Sequence, residues 1–151
     1  MTLIPQDALD WLVALLRDGR DYYRHAATHA ADTELQRAFD VAAEARDKLL
    51  SQLRALPDDE ARIAPSDATL DRNAVPENQR YDLLRRQFDP AHPEFQAEAL
   101  LLRERATLQW VESVFRSHDS MAVRRLMKRH YPALQQGAAI MQRLAQRAHA
   151  A

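Results

Sequence analysis

The chain predicts an all-α protein, a bundle of four long helices. Three observations carry that prediction. Ala, Leu, Arg and Gln dominate, while only 2 of 151 residues are Gly and none is Cys, which favours helix over turn-rich or disulfide-stapled folds. Four long stretches repeat apolar residues at three- and four-residue spacing, the period of a helix face. One Pro- and Asp-rich stretch interrupts them.

The first helix is expected over residues 5–30. Pro5 suits a first turn because its missing N–H has no helical partner there. Leu9, Leu12, Leu16, Gly19, Tyr23, Ala26 and Ala30 form its seam. Ala31-Asp32 makes a tight turn, and Asp32 is placed to cap the second helix, over 33–56, with Glu34 favourable in its first turn. Its seam reads Leu35, Phe39, Ala42, Arg46, Leu49, Leu53 and Leu56. Residues 57–93 carry Pro57, Pro65, Pro76, Pro90 and Pro93 and the acidic run Asp58-Asp59-Glu60. A short helix is expected within them from Pro76 to Phe88, with Tyr81, Leu84 and Phe88 on one side. The third helix, over 94–118, aligns Ala97, Leu101, Glu104, Leu108, Val111, Phe115 and His118. After a break at Asp119-Ser120, the fourth, over 121–148, aligns Val123, Met127, His130, Leu134, Gly137, Met141, Leu144 and Ala148, with Pro132 on its outward side producing a kink.

Each helix is about 25 residues and so about 37 Å long. Hairpin, long crossover, hairpin is the up-down-down-up order of ferritin-like bundles; an up-down-up-down bundle with a large excursion competes. One domain, 1–151, is expected from this length. Two Gly cannot build a phosphate-binding loop, and absent Cys removes thiolate metal sites and Cys nucleophiles. No apolar run spans a bilayer, and the first residues lack an export signal, so a cytoplasmic location is expected.

Asp18-Gly19-Arg20-Asp21-Tyr22-Tyr23, Ala26-Ala27, Glu34-Leu35, Phe39 and Ala42-Ala43-Glu44-Ala45-Arg46 resemble the first hairpin of a bacterial ferritin-like family of four-helix-bundle domains of unknown function. Arg80-Tyr81-Asp82-Leu83-Leu84 and the surroundings of Glu104 extend the likeness more faintly. The resemblance implies the ferritin-like fold and no particular reaction.

Carboxylate-bound metal pairs in such bundles need inward Glu residues and Glu-x-x-His strings. No such string occurs here, Asp21 and Glu44 lie on the outward arcs of their helices, and residues 121–151 contain no acid. Glu104 is the acid that falls on a seam. No di-metal site and no cofactor are therefore expected. Arg46 and Glu104 should lie within about one helical turn in height if the second and third helices run parallel, forming a buried ion pair. Tyr23 and His130 are expected to join by hydrogen bonds, with Arg20 bordering. This network either fixes register or forms a pocket for a small anion or single metal. Gly19 and Gly137 sit mid-seam, and room for a bulky neighbour such as Tyr23 or Arg46 would explain them.

Outside the seams, His25 and His29 are spaced to chelate a surface metal but lack a third ligand, and read better as incidental. Arg124, Arg125, Lys128, Arg129, Arg143 and Arg147 make the last helix wholly basic, against 15 basic and 22 acidic residues in the rest of the chain. This face suits an anion, nucleic acid, an anionic membrane or an acidic partner, or else the acidic crossover and neighbouring helices of the same chain lie beside it; near-zero total charge makes nucleic acid the lesser reading. Trp11, Tyr22 and Trp110 would mark a contact patch if exposed together. The expected function is a non-catalytic structural or protein-interaction domain, with an unknown protein partner or as a homodimer. A metal-binding ferritin-like oxidase or storage protein is the alternative.

Overall fold

The computed structural model describes residues 8–61 and 76–150, with two short strands at 2–3 and 69–70. The expected helix start at Pro5 lies outside the described residues. Helix α1 is Ala8–His29 and α2 is Thr33–Ala55. Between them the Asp32 side chain accepts hydrogen bonds from the Glu34 and Leu35 amides, so the expected cap forms. It satisfies two amides that the helix itself leaves unpaired. The Ala30 carbonyl takes a hydrogen bond from the Gln36 side chain at 2.7 Å, which tightens the turn.

The crossover is more broken than its sequence suggests. In place of one helix from Pro76 to Phe88 there is a 3-10 turn, Glu77–Gln79, and a separate short helix, α3, Asp82–Arg86. The break at Arg80-Tyr81 has a cause in packing: the Arg103 side chain donates to the Arg80 carbonyl, and the Tyr81 ring turns into the core. A second 3-10 turn, Pro93–Gln96, leads into α4, Ala97–Ser117. Gln96 ties this turn back to α3 through the Leu84 carbonyl at 2.9 Å. Ser120 starts the last helix by accepting from the Val123 amide, and α5, Met121–Ala150, runs unbroken through Pro132. Thr2–Leu3 and Thr69–Leu70 (β1 and β2) form a two-residue parallel pair.

Helix α1 packs on α2 and α4, and α5 packs on the same two helices. The result is an all-helical bundle in which no described helix is long and apolar enough to cross a membrane. Its interior has two apolar clusters. One gathers Tyr22, Tyr23, Phe39, Leu100 and Met141; the other gathers Leu12, Leu16, Leu49, Leu53 and Met127. Burying each such Leu contributes about 1.5–3 kcal/mol. Between the clusters lies a polar layer.

The predicted seams of α1 and α2 are buried from Leu9 to Leu53, with Leu56 half-buried at the edge. The α4 seam needs correction at its end, where Phe115 is exposed and Val114 is buried instead. Val114 packs into the aliphatic cluster, which leaves Phe115, one residue on, turned to the groove between α4 and α5. Replacing Asp32 with Ala should cost about 1 kcal/mol of unfolding free energy, the usual worth of such a cap, read from urea titration followed by circular dichroism.

Candidate functional site

Arg46 is the organising residue of the polar layer. Its position on the α2 seam forces the side chain inward, and its guanidinium is wholly buried. Nη2 donates to Glu104 at 2.9 Å, to the Tyr81 hydroxyl at 3.0 Å and to Thr107 Oγ1 at 3.2 Å. Nη1 donates to the Leu15 carbonyl on α1 at 2.8 Å. That last contact exists because of Gly19. A Cβ on residue 19 would fall 2.3 Å from Nη1 and 2.5 Å from Cζ, so only a bare backbone lets the guanidinium lie against α1. The sequence expectation of room for a bulky neighbour holds at this residue, and the neighbour is Arg46. Gly137 differs: a Cβ there would meet Glu104 Oε2 at 3.5 Å, an ordinary contact.

Glu104 receives a second hydrogen bond from the Tyr23 hydroxyl. The aromatic walls complete the enclosure, with the guanidinium carbon 5.5 Å from the Tyr23 ring centre and 5.6 Å from that of Tyr81. Burial alone would pull the Arg46 guanidinium down, but Glu104, Tyr81 and Tyr23 outweigh it and hold its pKa above the ordinary value. Burial raises Tyr23 well above the usual phenol range, reinforced by the Glu104 charge. Tyr81 is pushed up to about 12 by burial, an effect that neighbouring Arg46 moderates. Around neutral pH the layer thus holds the Arg46 cation and two neutral phenols beside Glu104.

The expected pair and its Tyr23 partner are therefore brought together, but His130 is not among them. Its ring nitrogen bonds Gln52 at 2.8 Å. Seven residues separate it from Gly137, the α5 position facing Glu104, which places it about two helical turns along the axis. Burial, with Arg129 and Lys48 nearby, lowers the His130 pKa. Arg20 stays at the border, paired with Asp21 at 3.1 Å and Asp47 at 3.2 Å. Thr107 and Tyr81 are the network members that sequence reasoning missed. Thr107 lies one turn from Glu104 on the same face, a spacing that could have found it. Tyr81 carried no such signal, because it arrives from the crossover.

The donor set fits a guanidinium and does not fit a metal pair. Glu104, the one buried carboxylate among the described residues, is already engaged by Arg46 and Tyr23. The Asp21 and Glu44 side chains are 46% and 67% exposed, in surface ion pairs with Arg20 and Lys48. Among the described residues, no three His, Asp or Glu side chains converge. His25 and His29 lie side by side with ring centres 4.5 Å apart, and Phe88 packs edge-on to His25.

No family model, curated protein or solved structure matches the chain. At the surface, the expected contact patch of Trp11, Tyr22 and Trp110 does not form as a unit. Tyr22 is buried and donates to Gln96, because the crossover and the Pro93–Gln96 turn cover that side of α1. Trp11 and Trp110 are half-buried and stack on each other at 5.7 Å. Of the basic face, Arg124 donates to the Phe115 carbonyl and Arg147 pairs with Glu34 at 3.6 Å. Arg125, Lys128, Arg129 and Arg143 are exposed.

Substitutions should separate these contributions. Glu104→Ala strands a buried guanidinium and should destabilise by about 3 kcal/mol or more in chemical denaturation. Gly19→Ala should cost about 2 kcal/mol or more through overlap with Arg46, despite the better helix former. Gly137→Ala, with no overlap, should be neutral or stabilise by up to about 1 kcal/mol. Equal effects at the two glycines would contradict the close approach of Arg46 to α1.

Proposed function

We propose that this chain is a ferritin-like, up-down-down-up bundle of the family its first hairpin resembles, acting as a non-catalytic interaction or structural domain. Residue pairings support that order of helices. Trp11 meets Trp110 and Tyr22 meets Gln96, as expected for opposed α1 and α4. Gln52 meets His130 and Glu34 meets Arg147, as expected for opposed α2 and α5. The contact of Arg46 with Glu104 then runs diagonally across the bundle between like-directed helices.

One observation carries the functional reading: the centre of the bundle, where inward carboxylates hold metals in ferritin-like oxidases, is filled by the Arg46 guanidinium. A fixed positive charge repels a divalent ion and engages Glu104, the one inward carboxylate of the layer among the described residues. With its interior closed in this way, the domain works through its surface, and association with a protein partner or a second copy is the activity left to it.

Elemental analysis of untagged protein, purified without chelator from iron- and manganese-supplemented culture, tests the reading. Both metals are expected far below one atom per chain, and stoichiometric iron or manganese would overturn it. Light scattering after size exclusion at high concentration reads the homodimer form directly; a strict monomer leaves association with another protein.

A further inference from the structure

Near the hairpin that joins α4 to α5, the two helices together line a groove of about 600 Å³. Its floor is apolar, built by Val111 and Phe115 from α4 and by Met127, Tyr131 and Pro132 from α5. Phe115 is 37% exposed, and Met121, on the adjoining first turn of α5, is 56% exposed. The rim is basic. Arg116 and Lys128 line it, and the Arg124 guanidinium sits 5.3 Å from the Phe115 ring centre. Glu112 is the single acid at the groove, and its carboxylate accepts from the Tyr131 hydroxyl at 2.8 Å. The backbone contributes too. Pro132 has no amide hydrogen, so the carbonyl of Lys128, one turn earlier, loses its regular helical donor within the groove wall.

We infer that this groove docks an acidic amphipathic helix of a partner protein, its apolar side chains on Phe115, Tyr131 and Pro132 and its carboxylates against Arg116, Arg124 and Lys128. The inference rests on the interaction-domain reading and deepens it. Charge selects the occupant: Arg116, Arg124 and Lys128 stand at the rim against Glu112, and α5 carries no acid, so the groove's own edge is positive even though the Asp58-Asp59-Glu60 run reaches this end of the bundle through the Glu60–Ser120 contact. Shape selects its class. A concave apolar floor between two helices suits a third helix, which presents apolar anchors at three- and four-residue spacing. Nucleic acid would use the basic rim but gain little from Phe115 and Met121.

A fluorescent 20-residue helical peptide with Leu and Phe on one face and Glu elsewhere serves as probe, beside a twin carrying Lys in place of Glu. Anisotropy titration should show saturable binding of the acidic peptide and at least about tenfold weaker binding of the twin. Phe115→Ser, and separately Arg116→Glu with Lys128→Glu, should each weaken the acidic peptide about tenfold at unchanged circular dichroism, and 0.5 M salt should do the same. All substituted side chains are exposed, so the fold tolerates them. Equal affinity for the twins, indifference to both variants, or saturable binding only to duplex DNA, to phosphatidylglycerol vesicles or to a second copy would overturn the inference. Failure here with metal-free protein leaves the interaction-domain reading intact, whereas stoichiometric metal would sink that reading whatever the peptide does.

Discussion

A guanidinium laid against the bare backbone of a neighbouring helix is the constraint on which the rest of this bundle depends. Arg46 reaches the Leu15 carbonyl only because residue 19 has no side chain, and from there it can address α4 and the crossover at once. A charge buried this deeply is costly unless it is paired and hydrogen-bonded. Here a carboxylate, a carbonyl and two hydroxyls answer Nη1 and Nη2, two aromatic rings flank the guanidinium, and Nε is left without a hydrogen-bond partner. Three helices and the crossover are thereby fixed in height relative to one another. An apolar core of the same volume could be as stable, but Leu and Ala seams slide past each other at little cost, whereas this network has one register in which it closes.

The same layer explains why the core reads as two clusters. Above it the packing is aromatic, with Tyr22, Tyr23, Tyr81 and Phe39 in mutual contact, and the crossover contributes to it. Below it the packing is aliphatic and comes almost wholly from the four long helices. Tyr81 belongs to both descriptions, since its ring is core and its hydroxyl is part of the network. The crossover is therefore a structural element: Arg103 holds its Arg80 carbonyl, and Gln96 holds the Leu84 carbonyl.

What the sequence revealed, and what it hid, follows from the range of each interaction. Helix periodicity is local, so the long helices and their inward faces were legible, as were the Asp32 cap and the exposure of Asp21 and Glu44. The Arg46–Glu104 pair was legible for a different reason: two opposite charges on apolar seams have few other ways to be satisfied. Tyr81 could not be assigned, because its place is decided by where a Pro-rich segment lands and not by any spacing. His130 shows the limit of seam reasoning. It faces inward as expected, yet height along the axis decides its partner, and two turns separate it from Glu104. Tyr22 was misread because the segment that buries it comes from more than seventy residues away, at Gln96.

Rigidity at the centre and openness at the end of the α4–α5 hairpin belong to one design. The polar layer fills the centre of the bundle with one connected set of side chains. Near that end the last helix turns from structural to presenting: its inward residues Val123 and Met127 still complete the aliphatic cluster, while Lys128 and Pro132 border open space. A proline on the buried side would have broken contacts with α2. On the outward side it costs one hydrogen bond and leaves an acceptor beside an apolar floor. The concentration of positive charge on this helix is tolerable because Arg125, Lys128, Arg129 and Arg143 are exposed to water and Arg147 is paired with Glu34. The charge asymmetry of the chain is thus more than a compositional accident, since it is set beside the groove proposed to receive a carboxylate-bearing helix.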